Sequence, residues 1–273
     1  MRTTTLWATA VLLGGAGRTL AQNTPEENNP NVDAPFVRNI RADRPGQTVT
    51  AQVLRAGRFQ LESGFQRQFG GPSPAQSLSG ATLRIGFVNG MELRVGQAYR
   101  HAGPTLLTET GSLRASGWAP VVAGAKFMVS PNYDTRTQVA VLLESAVPGT
   151  GAPGLRAPSW APAGRLLVSE QLGQRYGLEA NFGFSQPGLT VRDLEKGQFL
   201  GTLALNGALG AASGFFVEAY GTGRSALSTG TTAGLYWRPA PVLRLDVTAG
   251  RALSGPNAGA ATVGAGLAFK LGR

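Results

Sequence analysis

From Gly57 onward the chain alternates apolar and polar residues with a period of two, in one segment after another. Successive side chains of an extended strand point to opposite faces, so sustained alternation means two faces with different surroundings. Phe59, Leu61, Phe65 and Phe69 fall on one face of the first segment, and Gln60, Glu62, Gln66 and Gln68 on the other. Ala81, Leu83, Ile85 and Phe87 then alternate with Thr82, Arg84 and Gly86. Asn89-Gly90 follows, a strong two-residue hairpin signal, and Met91, Leu93, Val95 and Tyr99 alternate with Glu92, Arg94 and Gly96.

The same reading gives nine more strands. They lie near 117–129, 136–147, 164–172 and 178–184, then 199–210, 215–220, 231–237, 243–248 and 262–270. The segment at 164–172 is ambiguous, because Leu166, Leu167 and Val168 do not alternate. Twelve strands is an even number, and the links between them alternate short and long around the chain. Bacterial outer-membrane barrels have both properties, with short periplasmic turns and longer extracellular loops. Aromatic residues gather near both ends of the strands on the apolar face. Phe59, Phe87, Phe127, Phe215, Trp237 and Phe269 sit at one end, and Phe69, Tyr99, Phe184 and Phe199 at the other. The expected fold is all-β: a 12-stranded antiparallel up-and-down transmembrane β-barrel. A soluble barrel or sandwich would turn the apolar face inward, and the strand number and loop asymmetry argue against it.

Export fits this reading. Arg2, the apolar run Leu6–Leu13 and the small-residue end Thr19-Leu20-Ala21 read as a signal peptide over residues 1–21. The apolar run is well short of the roughly 20 residues that a spanning helix needs. Residues 22–56 are polar and rich in Pro and Asn, and read as a periplasmic N-terminal segment; residues 57–273 form the barrel. Charged residues are 15% of the chain, against about 25% in soluble domains, which leaves strands free to show one face to lipid. The net charge is +10. Such a basic chain would otherwise suggest nucleic acid, but an exported barrel instead offers its basic outer loops to lipid headgroups and lipopolysaccharide phosphates.

The polar face carries the candidate functional residues. Glu62, Arg84, Glu92, Arg94, Lys126, Glu144, Glu179, Glu218, Arg244, Asp246 and Lys270 all project from it. In a membrane barrel they line the lumen. Either they select solutes at a constriction, or they pair across the lumen and stiffen the wall.

At Ile40–Thr50, IRADRPGQTVT, the chain resembles a family of outer-membrane barrel transporters linked to the MetA pathway of phenol degradation. Asp43, Arg44 and Pro45 match its DRP motif, and Gly46 stands where an acidic residue is more usual. The likeness continues through GRFQLESGF (57–65), LRIGFVNGMELRVG (83–96), FVEAYG (216–221) and LDVTAGRAL to GAGLAFK (245–270). It implies a channel for small solutes, with aromatic or other hydrophobic compounds as candidates. The DRP stretch either enters the lumen as a plug or tethers the barrel from the periplasm.

Two other functions were weighed against a channel. An outer-membrane hydrolase usually needs a histidine base, and the chain has one histidine, His101, with Glu109, Ser112 and Ser116 downstream. That spacing matches no catalytic motif, and GxSxG, HExxH and cysteine are absent, so no metal or other cofactor is expected. A structural or adhesive barrel would work through its loops, but these are short and rich in Gly and Pro, as in Pro148–Pro162.

Overall fold

A computed structural model of the chain describes residues 40, 42–44, 46–71, 76–102, 116–130, 136–189 and 196–271. The proposed signal peptide, Pro45, Glu109 and Ser112 lie outside the described residues. The first strands are β1 (Phe59–Phe69), β2 (Gln76–Val88), β3 (Met91–Ala102), β4 (Gly117–Trp118), β5 (Val122–Met128), β6 (Thr137–Ala146) and β7 (Ala161–Leu172). They are followed by β8 (Tyr176–Ser185), β9 (Gln198–Ala208), β10 (Ser213–Gly223), β11 (Leu227–Ala240), β12 (Leu243–Ala252) and β13 (Ala261–Leu271). Each pairs antiparallel with its neighbours in sequence, except that β4 and β5 both pair with β3 and not with one another. β1 also pairs with β13, from Phe59↔Leu271 to Phe69↔Ala261, and this closes the sheet on itself. β4 and β5 share one place in the ring, so the wall is twelve strands around.

That shared place corrects the reading of 117–129 as one continuous strand. Trp118 pairs with Tyr99 and Val122 with Gly96, so four steps on one side oppose three on the other. Pro120 lies in the interruption and has no N–H to give to a ladder. The links then alternate short and long with two exceptions, 129–136 at the short-turn end and 224–226 at the long-loop end. Asn89-Gly90, 173–175 and 241–242 are tight turns at one end of the barrel, while 147–160 and 253–260 are longer loops at the other.

The alternation became a two-faced wall. Phe65, Phe182, Leu203, Leu235 and Val247 are all more than 40% exposed on the outside. An apolar belt of this extent is far larger than the few hundred Å² that a water-soluble monomer exposes. Aromatic rings meet within the belt near the long-loop end. Trp118 stands edge-on to Tyr99 at 5.4 Å between centroids, and Phe199 lies 5.0 Å from Phe184.

The ambiguous segment resolves as β7 and shows why it failed to alternate. Leu166 is 46% exposed on the outside, whereas Leu167 is fully buried inside. Leu167 joins Ala140 and Leu142 of β6 in an apolar patch on the otherwise polar inner face, and Val49, Ala51 and Val53 pack against it. The irregular pattern therefore marks a docking place for a segment that precedes the barrel in sequence.

The chain lacks cysteine, so single labels report cleanly. A nitroxide on Leu166→Cys is expected to collide with oxygen dissolved in hydrocarbon. One on Leu167→Cys is expected to be immobilised and shielded from both oxygen and water-soluble relaxants. Equal accessibility at the two sites would contradict the register of β7.

Candidate functional site in the barrel lumen

The segment from Asp43 to Leu54 runs round the inside of the wall. It enters beside β2, where Gly57 N–H donates to the Gly86 carbonyl at 2.9 Å. Leu54 N–H donates to Glu92 of β3 at 2.9 Å. The Gln52 carbonyl accepts from Lys126 of β5 at 3.1 Å and from Arg84 of β2 at 3.4 Å. Ala51 N–H donates to the Ser169 hydroxyl of β7 at 2.9 Å. Asn181 of β8 takes Val49 from both sides: its Oδ1 accepts the Val49 N–H at 2.6 Å and its Nδ2 donates to the Val49 carbonyl at 2.7 Å. Glu218 of β10 accepts the N–H groups of Gln47 and Thr48 at 2.8 and 3.0 Å, and the Thr48 hydroxyl at 2.9 Å.

At Arg44 the path has come almost full circle, to β12, β13 and β1. Its guanidinium lies 3.4 Å from Asp246 of β12 and donates to the Ala265 carbonyl of β13 at 3.1 Å. It fits because Gly64 and Gly266 face it from β1 and β13; a methyl group on either would overlap the guanidinium. Gly46 is constrained in the same way, since any side chain there would run into the Glu218 carboxylate. An acidic residue at 46, where the resemblance leads one to expect it, would displace and repel the Glu218 carboxylate, and the carboxylate at that point comes from the wall.

Asp43 closes the circuit. It is fully buried, and it meets Arg84 at 3.4 Å, Lys126 at 3.1 Å and Arg94 directly. Arg84 and Lys126 thus hold both ends of the loop, the Asp43 carboxylate and the Gln52 carbonyl. Around them Glu62 and Glu92 lie 2.9 and 2.7 Å from Arg84, and Glu144 lies 3.4 Å from Arg94. Burial alone would raise the Asp43 pKa, but the charges of Arg84, Lys126 and Arg94 outweigh it and hold the carboxyl well below its usual range. The sign follows: pairing at Asp43 stabilises above the ordinary carboxylate pKa and is lost only as pH falls through the depressed one.

The remaining residues expected on the polar face have other surroundings. Glu179 of β8 is buried opposite Ser169. Arg244 lies below the segment toward the short-turn end, its guanidinium 4.2 Å from the centre of the Tyr236 ring, and Arg238 reaches the same ring at 5.5 Å. Lys270 is half-buried at that end, opposite Gln60. Several contributors were not foreseen: Asn181 and Ser169, the glycines at 64 and 266, and the patch at Ala140, Leu142 and Leu167. Only the patch left a sequence signal, apolar residues on a polar face.

With this geometry in view, solved structures can be compared. An outer-membrane channel from Pseudomonas putida F1 superposes with a TM-score of 0.61 at 10% identity, over 81% of this chain and 98% of that one. The NanC porin gives 0.56 at 9% over 78% of this chain and 100% of that one, and the KdgM porin 0.53 at 9% over 77% and 98%. The fold is that of outer-membrane channel barrels. No protein-family model and no curated protein sequence matches the chain.

Removing one partner from a buried ion cluster leaves uncompensated charge, typically worth about 3–5 kcal/mol. Asp43→Ala is therefore expected to release the segment while the ring stays closed. Asn181→Ala should weaken docking by about 1–3 kcal/mol, since the Val49 N–H and carbonyl both lose their partner. Hydrogen exchange at Val49, Ala51 and Leu54 checks both: it should accelerate strongly in Asp43→Ala and by a smaller factor in Asn181→Ala, with strand amides unchanged.

Proposed function

We propose that the protein is an outer-membrane channel for the passive passage of small solutes, and that residues 40–56 act as its plug. The observation that carries this is the contrast between wall and content. The wall is closed by a continuous hydrogen-bonded ladder, which the hydrocarbon region demands. The content is held by side chains. The amides of Gln47, Thr48, Val49, Ala51 and Leu54 all donate to wall side chains. Such bonds contribute about 0.5–1.5 kcal/mol each to a neutral acceptor and about 1.5–3 kcal/mol to a carboxylate, and none belongs to the strand ladder, so the segment can leave without unfolding the ring.

The apolar belt suits a lipid surround, and the signal-like N-terminus supports export to the outer membrane. The strand ends near the short turns, and the N-terminal segment with them, then face the periplasm. The longer loops face outward, where lipopolysaccharide lies. A ring of twelve strands is wider than the eight whose side chains fill their own interior, and narrower than open sixteen-stranded porins. Restricted flow under the control of an internal segment suits that width. One similar barrel, KdgM, has been solved with disordered oligogalacturonate. The resemblance at the DRP stretch favours small aromatic or other hydrophobic solutes for this chain.

A hydrolytic reading gains little support. His101 lies exposed at the long-loop end of β3 opposite Ser77, and its described contact is the Tyr99 ring at 6.4 Å.

Planar-bilayer recording tests the proposal. The wild-type protein should give small, infrequent steps, and Asp43→Ala should raise mean conductance several-fold. Absence of steps from both, with no solute-driven swelling of loaded liposomes, would defeat the channel. Equal conductance in both would defeat the plug.

A further inference from the structure

Charge on this barrel is sorted by side of the wall. Every described carboxylate but one lies in the lumen. The exception, Glu170, stands on the outer face at the short-turn end and pairs with Arg136 at 2.9 Å. At the long-loop end the outer face carries the opposite sign. Arg67 of β1 and Arg251 of β12 both occupy outward-facing positions and are exposed. Neither makes a hydrogen bond or an ion pair with any described residue. Around the rest of that end the outer face is aromatic, with the pairs Tyr99–Trp118 and Phe184–Phe199.

Strand register sets the spacing of the two cations. Arg67 is opposite Val263 of β13, and Arg251 is opposite Ala261 of the same strand. They are two strand spacings apart, roughly 10 Å, and staggered by two residues, roughly 7 Å. Ala261 and Val263, which stand between them, are too short to wall one guanidinium off from the other. Ser77 of β2 is opposite Arg67, His101 of β3 is opposite Ser77, and Thr231 of β11 is opposite Arg251. The patch thus adds hydroxyl and imidazole groups to its cations. Toward the middle of the wall, exposed Phe65, Val247 and Val263 continue it as C–H surface.

An arginine on the lipid-facing side is costly at mid-membrane and cheap at its edge. There its stem lies along the apolar wall and lifts the guanidinium to headgroup level. A guanidinium grips a phosphate through two parallel N–H bonds. A glycerophospholipid brings one phosphate, whereas lipid A, the membrane end of lipopolysaccharide, brings one at each end of a sugar pair. Two staggered cations, hydroxyl groups beside them and an apolar track beneath suit the second. We infer that the outer face of β12, β13 and β1 binds one lipopolysaccharide molecule, with Arg67 and Arg251 each taking a lipid A phosphate and the acyl chains lying on Phe65, Val247 and Val263. The inference rests on the outer-membrane reading, which turns the long-loop end outward, and it gives the contact to strand residues rather than to the basic loops.

Native mass spectrometry of the full-length protein, stripped of lipid in detergent, tests this with diphosphoryl lipid A, monophosphoryl lipid A and phosphatidylglycerol as probes. One molecule of diphosphoryl lipid A is expected to bind saturably, at least about tenfold more tightly than either other probe. Arg67→Gln combined with Arg251→Gln should weaken it at least about tenfold. Arg156→Gln, which removes a charge from the loop 147–160 at the same end, should leave it unchanged. Heat-modifiable gel mobility shows that each variant is folded. No saturable binding, equal affinity for either other probe, affinity unchanged in the double variant or an equal loss in Arg156→Gln would overturn the site. Conductance steps without lipid A binding would sink this inference and leave the channel standing. Lipid A binding without conductance would do the reverse.

Discussion

A carboxylate shut off from bulk water, held by three cations from three different strands, organises the interior of this barrel. Asp43 meets Arg84, Arg94 and Lys126 at full burial. Leaving any one of these charges buried without its partners would cost several kcal/mol. The wall cations need an anion in the lumen, and the segment that carries it needs the wall. Twelve strands make this mutual dependence necessary. Their side chains do not fill the ring, and a lumen paved with unpaired charge would repel itself. The N-terminal segment supplies volume, backbone donors and the missing carboxylate together.

This arrangement assigns different physics to the two faces of one strand. The outer residues need only be apolar, since hydrocarbon is an undemanding neighbour. The inner residues must each find a partner of complementary type at a fixed place. Val49 shows the difference: Asn181 presents its amide as a neighbouring strand would present a peptide group, and so continues sheet-like bonding into the lumen. Arg44 shows the cost in freedom, since two wall positions must be glycine to admit it. Because none of the bonds that hold the segment belongs to the strand ladder, its release is separable from opening of the ring.

The wall was legible in the sequence because strand alternation is a local signal. Phe59 to Phe69 show it within eleven residues, and the Asn89-Gly90 turn fixes the next register without reference to anything distant. The interruption at Pro120 did leave a trace that went unread, since the outward face moves from an even position at Trp118 to an odd one at Phe127. The interior was largely illegible. The charged residues could be put on the inner face, but whether they met solute or one another turns on contacts such as Ala51 with Ser169, 118 positions apart. The Arg44 contact with Ala265 spans 221 positions. Polar residues such as Asn181 and Ser169 look the same whether they bond water or a peptide. The run Val139–Leu143 and the triplet Leu166–Val168 were the visible exceptions, apolar on a face that water or a polar segment should occupy. Read physically, they say that something apolar covers that patch.

The account stands on residues 43–54 lying inside the closed ring, and cross-linking measures that directly. Ala51 and Ser169 are in hydrogen-bonding contact, the chain has no native thiol, and both positions accept cysteine with little change in volume. In outer membranes carrying Ala51→Cys with Ser169→Cys, mild oxidation should join the pair nearly completely and give a heat-stable shift in gel mobility. Two free thiols that react readily with a membrane-impermeant maleimide, in a barrel that is otherwise folded, would contradict it.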